Sequence, residues 1–182
     1  MKIYSLFLSL LFAHSLFAQD LTIAEPDFSG IILLVRDDQL AEQLEKQKAA
    51  SGSKASVGAA LFGVAKAKGV NFVNGAKSPV RIDRGSTIRL IVKANENDRD
   101  PMEVINVFAL ESDQDKDRRT IVTGTVNFNK STAADIDFIP FKATKYQSSS
   151  YLLEIASLPP GEFALTLDGS RDVFNMFGVD GE

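Results

Sequence analysis

The sequence predicts an all-β protein, an antiparallel β-sandwich with one possible short helix. Runs of β-branched and aromatic residues recur along the chain, with turn-forming residues about every 8–12 positions, which is the spacing of an all-β sandwich or barrel. Helical patterns do not alternate with these runs, so a parallel α/β sheet is disfavoured. After the first 18 residues the sequence contains no histidine, cysteine or tryptophan.

The first 18 residues have the pattern of a secretory signal peptide. A positive start at Lys2 precedes the apolar run Ile3–Ala18, which ends on a small residue before Gln19. The run is short for a membrane span, which needs roughly 20 residues, and no later run approaches that length. We therefore predict cleavage between Ala18 and Gln19.

Cleavage would divide the chain into a signal peptide (1–18), a flexible N-terminal segment (19–26) and a single β-sandwich domain (27–182). With no cysteine present, lipid attachment at a cysteine is excluded, so the expected location is the periplasm or the extracellular space. The segment Leu16-Phe17-Ala18-Gln19 resembles the signal endings of secreted proteins from Gram-negative Bacteroidetes.

The domain is expected to begin with a strand over Phe28–Val35. Its continuous apolar part, Ile31–Val35, favours a strand that is covered on both faces. Gln39–Ala50 is the best helical candidate, because it is rich in Gln, Glu, Lys and Ala and places Leu40 and Leu44 four residues apart. Two leucines make a thin apolar stripe, so the sequence leaves helix and strand open here.

The segment 54–68 is also ambiguous between helix and strand. Its alanines favour a helix, whereas Gly58 and Gly63 would each cost roughly 1 kcal/mol in a helix interior. Alternation from Ala60 to Lys66 tips the prediction towards a strand.

The remaining strand predictions rest on alternation and β-branched residues. Asn74-Gly75 is the strongest turn dipeptide in the chain. Pro140 lacks an amide donor, so its strand is expected at a sheet edge or a bulge. The predicted strands are Val70–Val73, Val80–Ile82, Thr87–Lys93, Met102–Leu110, Thr120–Phe128, Ile136–Phe141, Tyr151–Ile155, Phe163–Leu167 and Val173–Val179.

The segment Leu158-Pro159-Pro160-Gly161-Glu162-Phe163 has the pattern of a corner between two sheets. Proline presets the turn, Gly161 is expected at positive φ, and the Phe163 ring anchors the returning strand. The segment is similar to the sheet-to-sheet corner of immunoglobulin-like sandwiches, although phenylalanine replaces the usual tyrosine. The resemblance implies an immunoglobulin-like architecture, with Leu158, Gly161 and Phe163 in structural roles, and implies no function.

The charge of the chain disfavours nucleic acid as a partner. Loss of Lys2 would reduce the 20 basic side chains by one, against 24 acidic ones, and an acidic protein repels phosphate backbones. The charges are mixed along the chain, which is the usual pattern of a solvated surface. We expect no membrane span after cleavage.

One acidic cluster is a candidate calcium site. Asp113, Asp115 and Asp117 place carboxylates at alternate positions, as a calcium loop does. The glycine of the sharp turn is replaced by Arg118, and Gly124 stands where the bidentate glutamate would be. These departures favour a solvated hairpin tip. Glu96, Asp98 and Asp100 form a second acidic loop, which is expected at the opposite end of the strand Met102–Leu110, so the two loops would not share an ion.

Other possible sites are weaker. Asp135 with Asp137, or Glu154 with Glu162, are the carboxylate pairs proposed for glycoside hydrolysis. Ser148–Ser150 lies near Lys145, but a Ser-Lys nucleophile requires a buried lysine. Five arginines could converge on an anion, although pairing with surface carboxylates is favoured: Arg81, Arg84, Arg89, Arg118 and Arg119.

The missing histidine and cysteine exclude the Ser-His-Asp and Cys-His classes of catalyst and the usual nitrogen and sulfur zinc sites. We predict a non-enzymatic binding or assembly domain of the bacterial envelope, with no cofactor and no catalytic residue, that contacts an envelope protein or a glycan. The alternatives are a carboxylate-based glycan hydrolase, a carbohydrate-binding module or a structural subunit. Either a strand near Pro140 or the first strand would offer an edge for strand addition.

Overall fold

The structure, a computed structural model, describes residues 21–37, 40–55, 67–127, 130–168, 170 and 172–181. Within them it is all-β, with antiparallel sheets and one short helix, as the sequence predicts. The predicted signal peptide and its cleavage site lie outside the described residues, as does most of the ambiguous segment 54–68.

Five strands form the first sheet, in the order β11-β12-β7-β1-β2, with every neighbouring pair antiparallel. β1 lies between β7 and β2, so the predicted first strand is paired on both sides and offers no free edge. This corrects its proposed role in strand addition. The strands are β1 (Ile32–Val35), β2 (Ala41–Gln43), β7 (Ile88–Lys93), β11 (Lys142–Tyr146) and β12 (Ser150–Ile155).

Nine strands form the second sheet. They are β3 (Glu45–Lys48), β4 (Ala50–Ala55), β5 (Ala67–Asn74), β6 (Arg81–Ile82), β8 (Ile105–Asp113), β9 (Arg118–Asn127), β10 (Lys130–Ala133), β13 (Gly161–Leu167) and β14 (Val173–Val179). The main order is β3-β14-β13-β8-β9-β5-β4, while β10 pairs with β9 and the short β6 runs parallel to β14.

The second sheet curls into a roll. Its two terminal strands, β3 and β4, are consecutive in the chain and are separated only by Ala49. An apolar cluster on one face of this sheet draws side chains from strands around the roll and from that junction. Its members are Val73, Phe108, Leu110, Ala164, Phe174 and Met176, with Ala49, Ile121 and Ile136 packed against them.

The main core lies between the two sheets. β14 takes part in both cores because successive side chains point to opposite faces: Phe177 joins the main core and Met176 the core of the roll. A third, smaller cluster covers the outer face of the five-stranded sheet, where Ile23 packs with Tyr146 and Ile91. The N-terminal segment, predicted as flexible, is here in contact with the domain through Ile23.

The structure decides one segment that the sequence left open between helix and strand, and it corrects the start of one predicted strand. The helical candidate Gln39–Ala50 is β2, β3 and the start of β4 over its described part, because edge positions next to β1 and β14 outweigh helix propensity. The strand predicted over Met102–Leu110 begins with one helical turn, α1 (Pro101–Val104). Asp100 caps this turn by accepting from the Met102 amide, and Pro101 is preorganised for a first helical position.

The strand predicted over Ile136–Phe141 is reduced to one isolated bridge, between Phe138 and Phe108. The Ile139 amide also donates to the Val107 carbonyl, so the segment follows the edge of β8 without forming a regular ladder. Pro140 lies outside any strand, just before β11, which is at the edge of the five-stranded sheet. The absent amide donor of proline is consistent with this irregular course.

At the predicted corner, β13 starts at Gly161, and Phe163 is buried with 3% of its surface exposed. The Phe163 ring stacks on Phe177 with centroids 5.5 Å apart, and Leu158 packs against the same core. Gly161 is not among the residues at positive φ, so that expectation is wrong: the residue is already extended and paired with Val179. The immunoglobulin-like resemblance stays a prediction.

Candidate functional site

A cleft opens at one end of the sandwich, where β7 ends and β14 begins. Its volume is about 440 Å³, within the range of roughly 300–1,000 Å³ that is usual for ligand pockets. Both sheets and α1 contribute to it, and nine of its fourteen lining residues are polar or charged. The lining residues are Ser29, Gly30, Lys46, Lys93, Ala94, Asn95, Glu96, Arg99, Val104, Leu167, Asp168, Ser170, Val173 and Asn175.

Asn175 supplies a buried amide to this cleft. It shares a face of β14 with Phe177, which lies in the main core, so its side chain points between the two sheets. Only 3% of its surface is exposed, and no side-chain hydrogen bond joins it to another described residue. The amide is not sealed from solvent, because among the described residues the only buried side-chain polar atom without a partner is Arg118 Nε. It is therefore open to water or to a ligand in the cleft.

Lys46 lies beside Asn175. The two residues are direct partners across the β3–β14 ladder, so their side chains leave the same face of the sheet with Cβ atoms about 5 Å apart. The Lys46 ammonium donates to the Gly30 carbonyl over 2.9 Å. Gly30 holds a φ of 79°, a conformation that glycine adopts without strain, and its amide donates to the Lys93 carbonyl.

Lys93 is held at the cleft by the N-terminal segment. Its ammonium lies 2.9 Å from the Glu25 carboxylate and 2.7 Å from the Ser149 hydroxyl. The hydrogen bond from the Ser148 hydroxyl, with those from Lys93 and Ser150, outweighs the effect of burial and lowers the pKa of Glu25 to about 2. Glu25 is therefore ionised over the whole physiological range and keeps Lys93 in place as a charged partner.

Arg99 forms the opposite rim of the cleft. Its guanidinium lies 3.1 Å from the Asp168 carboxylate, and its backbone carbonyl accepts a hydrogen bond of 2.8 Å from the Tyr151 hydroxyl. Burial of the Tyr151 ring raises the pKa of its hydroxyl, so this group remains a neutral donor. The rim is consequently fixed to the β12 strand beneath it.

A second polar cluster lies inside the roll, away from the cleft. Arg119 is fully buried and donates twice to the Glu45 carboxylate, each time over 2.8 Å, and also to the carbonyls of Asn74 and Gly75. Burial raises the pKa of Glu45, but the bonds from Arg119 outweigh it, so the net pKa is lowered. The Arg119 guanidinium also approaches Glu162 to 3.7 Å.

Glu162 extends this cluster to the surface. It is 5% exposed and accepts a hydrogen bond of 2.6 Å from Arg81 and one of 2.8 Å from the Ser78 amide. Because Arg81 also pairs with Asp180, Glu162 connects Arg119 to Arg81 and Asp180. Burial lowers the pKa of Arg81, and the bonds to Asp180 and Glu162 outweigh it and raise the pKa overall. Every carboxylate in the cluster has an arginine partner, which is typical of a structural network.

The candidate calcium residues occupy the tip between β8 and β9. Asp117, at a φ of 43°, accepts from the Ala76 amide through its side chain. Asp113 lies 3.7 Å from the Lys116 ammonium and 3.6 Å from Arg118, so two of the three carboxylates already have protein partners. Among the described residues no group of three or more potential metal ligands comes together.

The two carboxylate pairs do not form a hydrolytic site. Glu154 is exposed on the outer face of the five-stranded sheet, whereas Glu162 is buried on the other sheet, on the face that carries the core of the roll. The main core separates them. Asp135 and Asp137 are both exposed, so neither lies in the desolvated surroundings typical of a catalytic acid.

The structure brings together other residues than the sequence suggested for the Ser-Lys pair and for the arginine cluster. Lys145 is exposed, and the lysine that reaches Ser149 is Lys93, which Glu25 holds as an ion pair. A nucleophilic serine needs a neutral lysine base, which this arrangement opposes. Of the five arginines, Arg81 and Arg119 do converge, on the buried carboxylate of Glu162.

Sequence reasoning missed both Asn175 and the partnership of Arg119 with Glu45. One signal was present: Asn175 is the single polar residue inside the apolar run Val173–Val179. An amide in such a strand faces a core unless a cleft reaches it. Nothing in the sequence indicated that Lys46 would be its neighbour, because the two residues are far apart in the chain.

The fold and the site define an all-β domain with a polar cleft between two antiparallel sheets. Comparison of the sequence with protein-family models gives no match, and a search of curated proteins gives none either. Over the part of the chain that the structure describes, no helix has the length and apolar character needed to cross a membrane.

Proposed function

We propose that this protein is a non-enzymatic binding domain of the bacterial envelope and that its ligand occupies the cleft between the sheets. The observation that supports this most directly is the Asn175 amide, which lines the cleft, is open to it and has no side-chain hydrogen bond to a described residue. Hydrogen-bonding groups from several loops surround it, as expected for a site that orients a small polar molecule.

A binding role is favoured over a hydrolytic one by the pairing of the cleft's charged groups. Lys93 and Arg99 each have a carboxylate partner, at 2.9 Å and 3.1 Å. A glycoside hydrolase needs two carboxyl groups flanking one bond, one of them kept protonated by its surroundings. In the cleft, Asp168 is held by Arg99, and Glu96 lies on an exposed loop.

A carbohydrate-binding module is the second candidate. The amides and hydroxyls of the cleft suit sugar hydroxyl groups, and Ser29, Asn95 and Ser170 supply them beside Asn175. The described lining residues include no aromatic ring, so the usual stacking platform is not part of the cleft. A sugar bound here would be held by hydrogen bonds alone.

The binding function is tested by NMR titration of the purified protein against a panel of neutral sugars, acidic sugars, amino acids and organic acids. We expect at least one probe to shift the backbone amide signals of Lys46, Lys93 and Asn175 at millimolar or lower concentration. A panel that shifts none of these signals, or shifts signals only on the outer faces of the sheets, would overturn the proposal.

The proposed location in the envelope rests on the predicted signal peptide. Expression of the full chain in a Gram-negative host should yield periplasmic or secreted protein whose intact mass corresponds to a chain that begins at Gln19. Recovery of the uncleaved chain from the cytoplasm would contradict export. The matched control is a variant with Leu8→Arg in the apolar run, which should remain uncleaved.

A further inference from the structure

Two neighbouring groups in the cleft are both hydrogen-bond donors suited to an anion. Lys46 and Asn175 face each other across the β3–β14 ladder and both line the cleft. An ammonium and an amide N–H about 5 Å apart at Cβ can donate to the two oxygens of one carboxylate. The Asn175 amide has no competing protein partner among the described residues.

The charges of the cleft single out Lys46. Lys93 is neutralised by Glu25 and Arg99 by Asp168. Lys46 has a carbonyl partner, Gly30, and forms no ion pair with a described residue. Its positive charge is therefore available to a bound anion.

We propose that the cleft binds the carboxylate group of a small polar ligand through the Lys46 ammonium and the Asn175 amide. This inference rests on the proposed function, because it names the ligand class of the same site. A monoanion suits the cleft better than a phosphate dianion, since Glu96 and Asp168 also line it and would repel a second negative charge. The Ser29 and Ser170 hydroxyls are placed to bond the rest of the ligand.

Two sources carry this chemistry, an acidic sugar and an amino acid. Glu96 lines the cleft from the loop that follows β7, a strand of the five-stranded sheet, whereas β3 belongs to the nine-stranded sheet. An amino acid would place its ammonium towards this carboxylate, whereas an acidic sugar would place hydroxyl groups there. Both require the same carboxylate contact, so the two sources differ in their dependence on Glu96.

The test is isothermal titration of the purified protein with two matched pairs of probes. D-galacturonate and D-galactose differ in the carboxylate, and L-alanine and L-lactate differ in the ammonium. We expect galacturonate or alanine to bind with a millimolar or lower Kd, and galactose to bind about tenfold or more weakly than galacturonate. If alanine binds more tightly than lactate, and Glu96→Gln removes the difference, the ligand is an amino acid. If galacturonate binds more tightly than alanine, the ligand is an acidic sugar.

Variants locate the contact. Lys46→Gln and Asn175→Leu should each weaken binding of the acid about tenfold, with folding verified by circular dichroism. The matched control is Lys48→Gln, which lies on the same strand and face but outside the cleft and is paired with Asp172. It should leave binding unchanged.

Three results would overturn the carboxylate assignment. Galactose could bind with the same affinity as galacturonate, no acid could bind, or the Lys46→Gln variant could bind the acid with the affinity of wild type. If neutral sugars bind and shift the Asn175 signal without a preference for acids, this inference is wrong and the proposed function stands. If no probe reaches the cleft, both are wrong.

Discussion

At the scale of single residues, the cleft is determined by side chains whose polarity conflicts with their burial. Asn175 occupies a position between Phe174 and Met176 in a strand whose other members fill the two cores. Its amide is open to the cleft, whereas its neighbours on either side are apolar and buried. An accessible amide at this position is what the proposed binding site requires.

Asn175→Leu should weaken ligand binding and leave the free energy of unfolding within about 1 kcal/mol of wild type, because the amide is open to the cleft and makes no side-chain hydrogen bond to a described residue. Urea unfolding followed by circular dichroism measures the change in the free energy of unfolding. Asn95→Leu, at an exposed position of the same cleft, is the control and should change it by no more than about 0.5 kcal/mol. A loss of more than about 2 kcal/mol in Asn175→Leu would show that the amide has a structural role in the fold.

Glu25→Gln should destabilise the protein at neutral pH and lose this effect in acid. The folded protein lowers the pKa of Glu25 from 4.5 to about 2, so the ionised carboxylate stabilises the fold above about pH 5, and the contribution disappears as the pH falls towards 2. Unfolding of both proteins at several pH values measures the gap, which should close between pH 5 and 2.

The control for this pH dependence is Glu154→Gln, an exposed carboxylate on β12. It should change the free energy of unfolding at neutral pH by no more than about 0.5 kcal/mol, because the side chain is exposed. A gap between wild type and Glu25→Gln that stayed constant from pH 7 to pH 2 would show that the N-terminal segment is not fastened through this ionised carboxylate.

At the scale of elements, β13 has two chemically distinct faces. Phe163 and Leu165 enter the main core, while Glu162 and Ala164 face the interior of the roll. Alternation along one strand thus serves an apolar core on one side and an ion-pair cluster on the other. The register of β13, which starts at Gly161, determines which side chains point to each face. A shift of one residue would exchange the apolar side chains of the main core with those inside the roll.

Phe163→Ala should lower the free energy of unfolding by about 3–5 kcal/mol, because it opens a cavity beside Phe177 in the main core. Urea unfolding is the measurement. Phe28→Ala is the control, since the Phe28 ring is exposed and should contribute about 0.5 kcal/mol or less. A cost under 1 kcal/mol for Phe163→Ala would mean that the corner does not anchor the returning strand.

At the scale of the whole molecule, the roll is closed by contacts between segments that are distant in the chain. Arg119 of β9 binds Glu45 of β3 and the turn after β5, and approaches Glu162 of β13. One side chain thereby connects four strands of the nine-stranded sheet. Because the guanidinium is fully buried, each of these contacts is made away from water.

Arg119→Met should cost about 3–5 kcal/mol of unfolding free energy, because it leaves the largely buried carboxylate of Glu45 without its arginine partner, while Glu162 keeps Arg81. Thermal and urea unfolding measure the loss. The control is Arg118→Met, at the next residue, where a cation–π contact with Phe72 and a 3.6 Å approach to Asp113 predict about 1 kcal/mol or less. Equal effects of the two substitutions would contradict a special role for the buried arginine.

The sequence by itself determined the class of fold and much of the core. Alternation and β-branched residues predicted the strands around Thr87–Lys93, Tyr151–Ile155 and Val173–Val179 because these signals are local, and local patterns decide which face of a strand is buried. The same reasoning placed Phe163 in the core. It left the segment 39–50 open, because its helix propensity conflicts with the pairing that the tertiary structure provides.

Only the tertiary structure decided where the site lies. The pairing of Lys46 with Asn175, of Lys93 with Glu25 and of Arg119 with Glu45 joins residues that are distant in the sequence. Strand order and register, which set these pairings, depend on the packing of both sheets together. The sequence pattern around a charged or amide side chain in a strand is the same whether that side chain faces water, a buried partner or a cleft. Only the tertiary structure distinguishes these three environments.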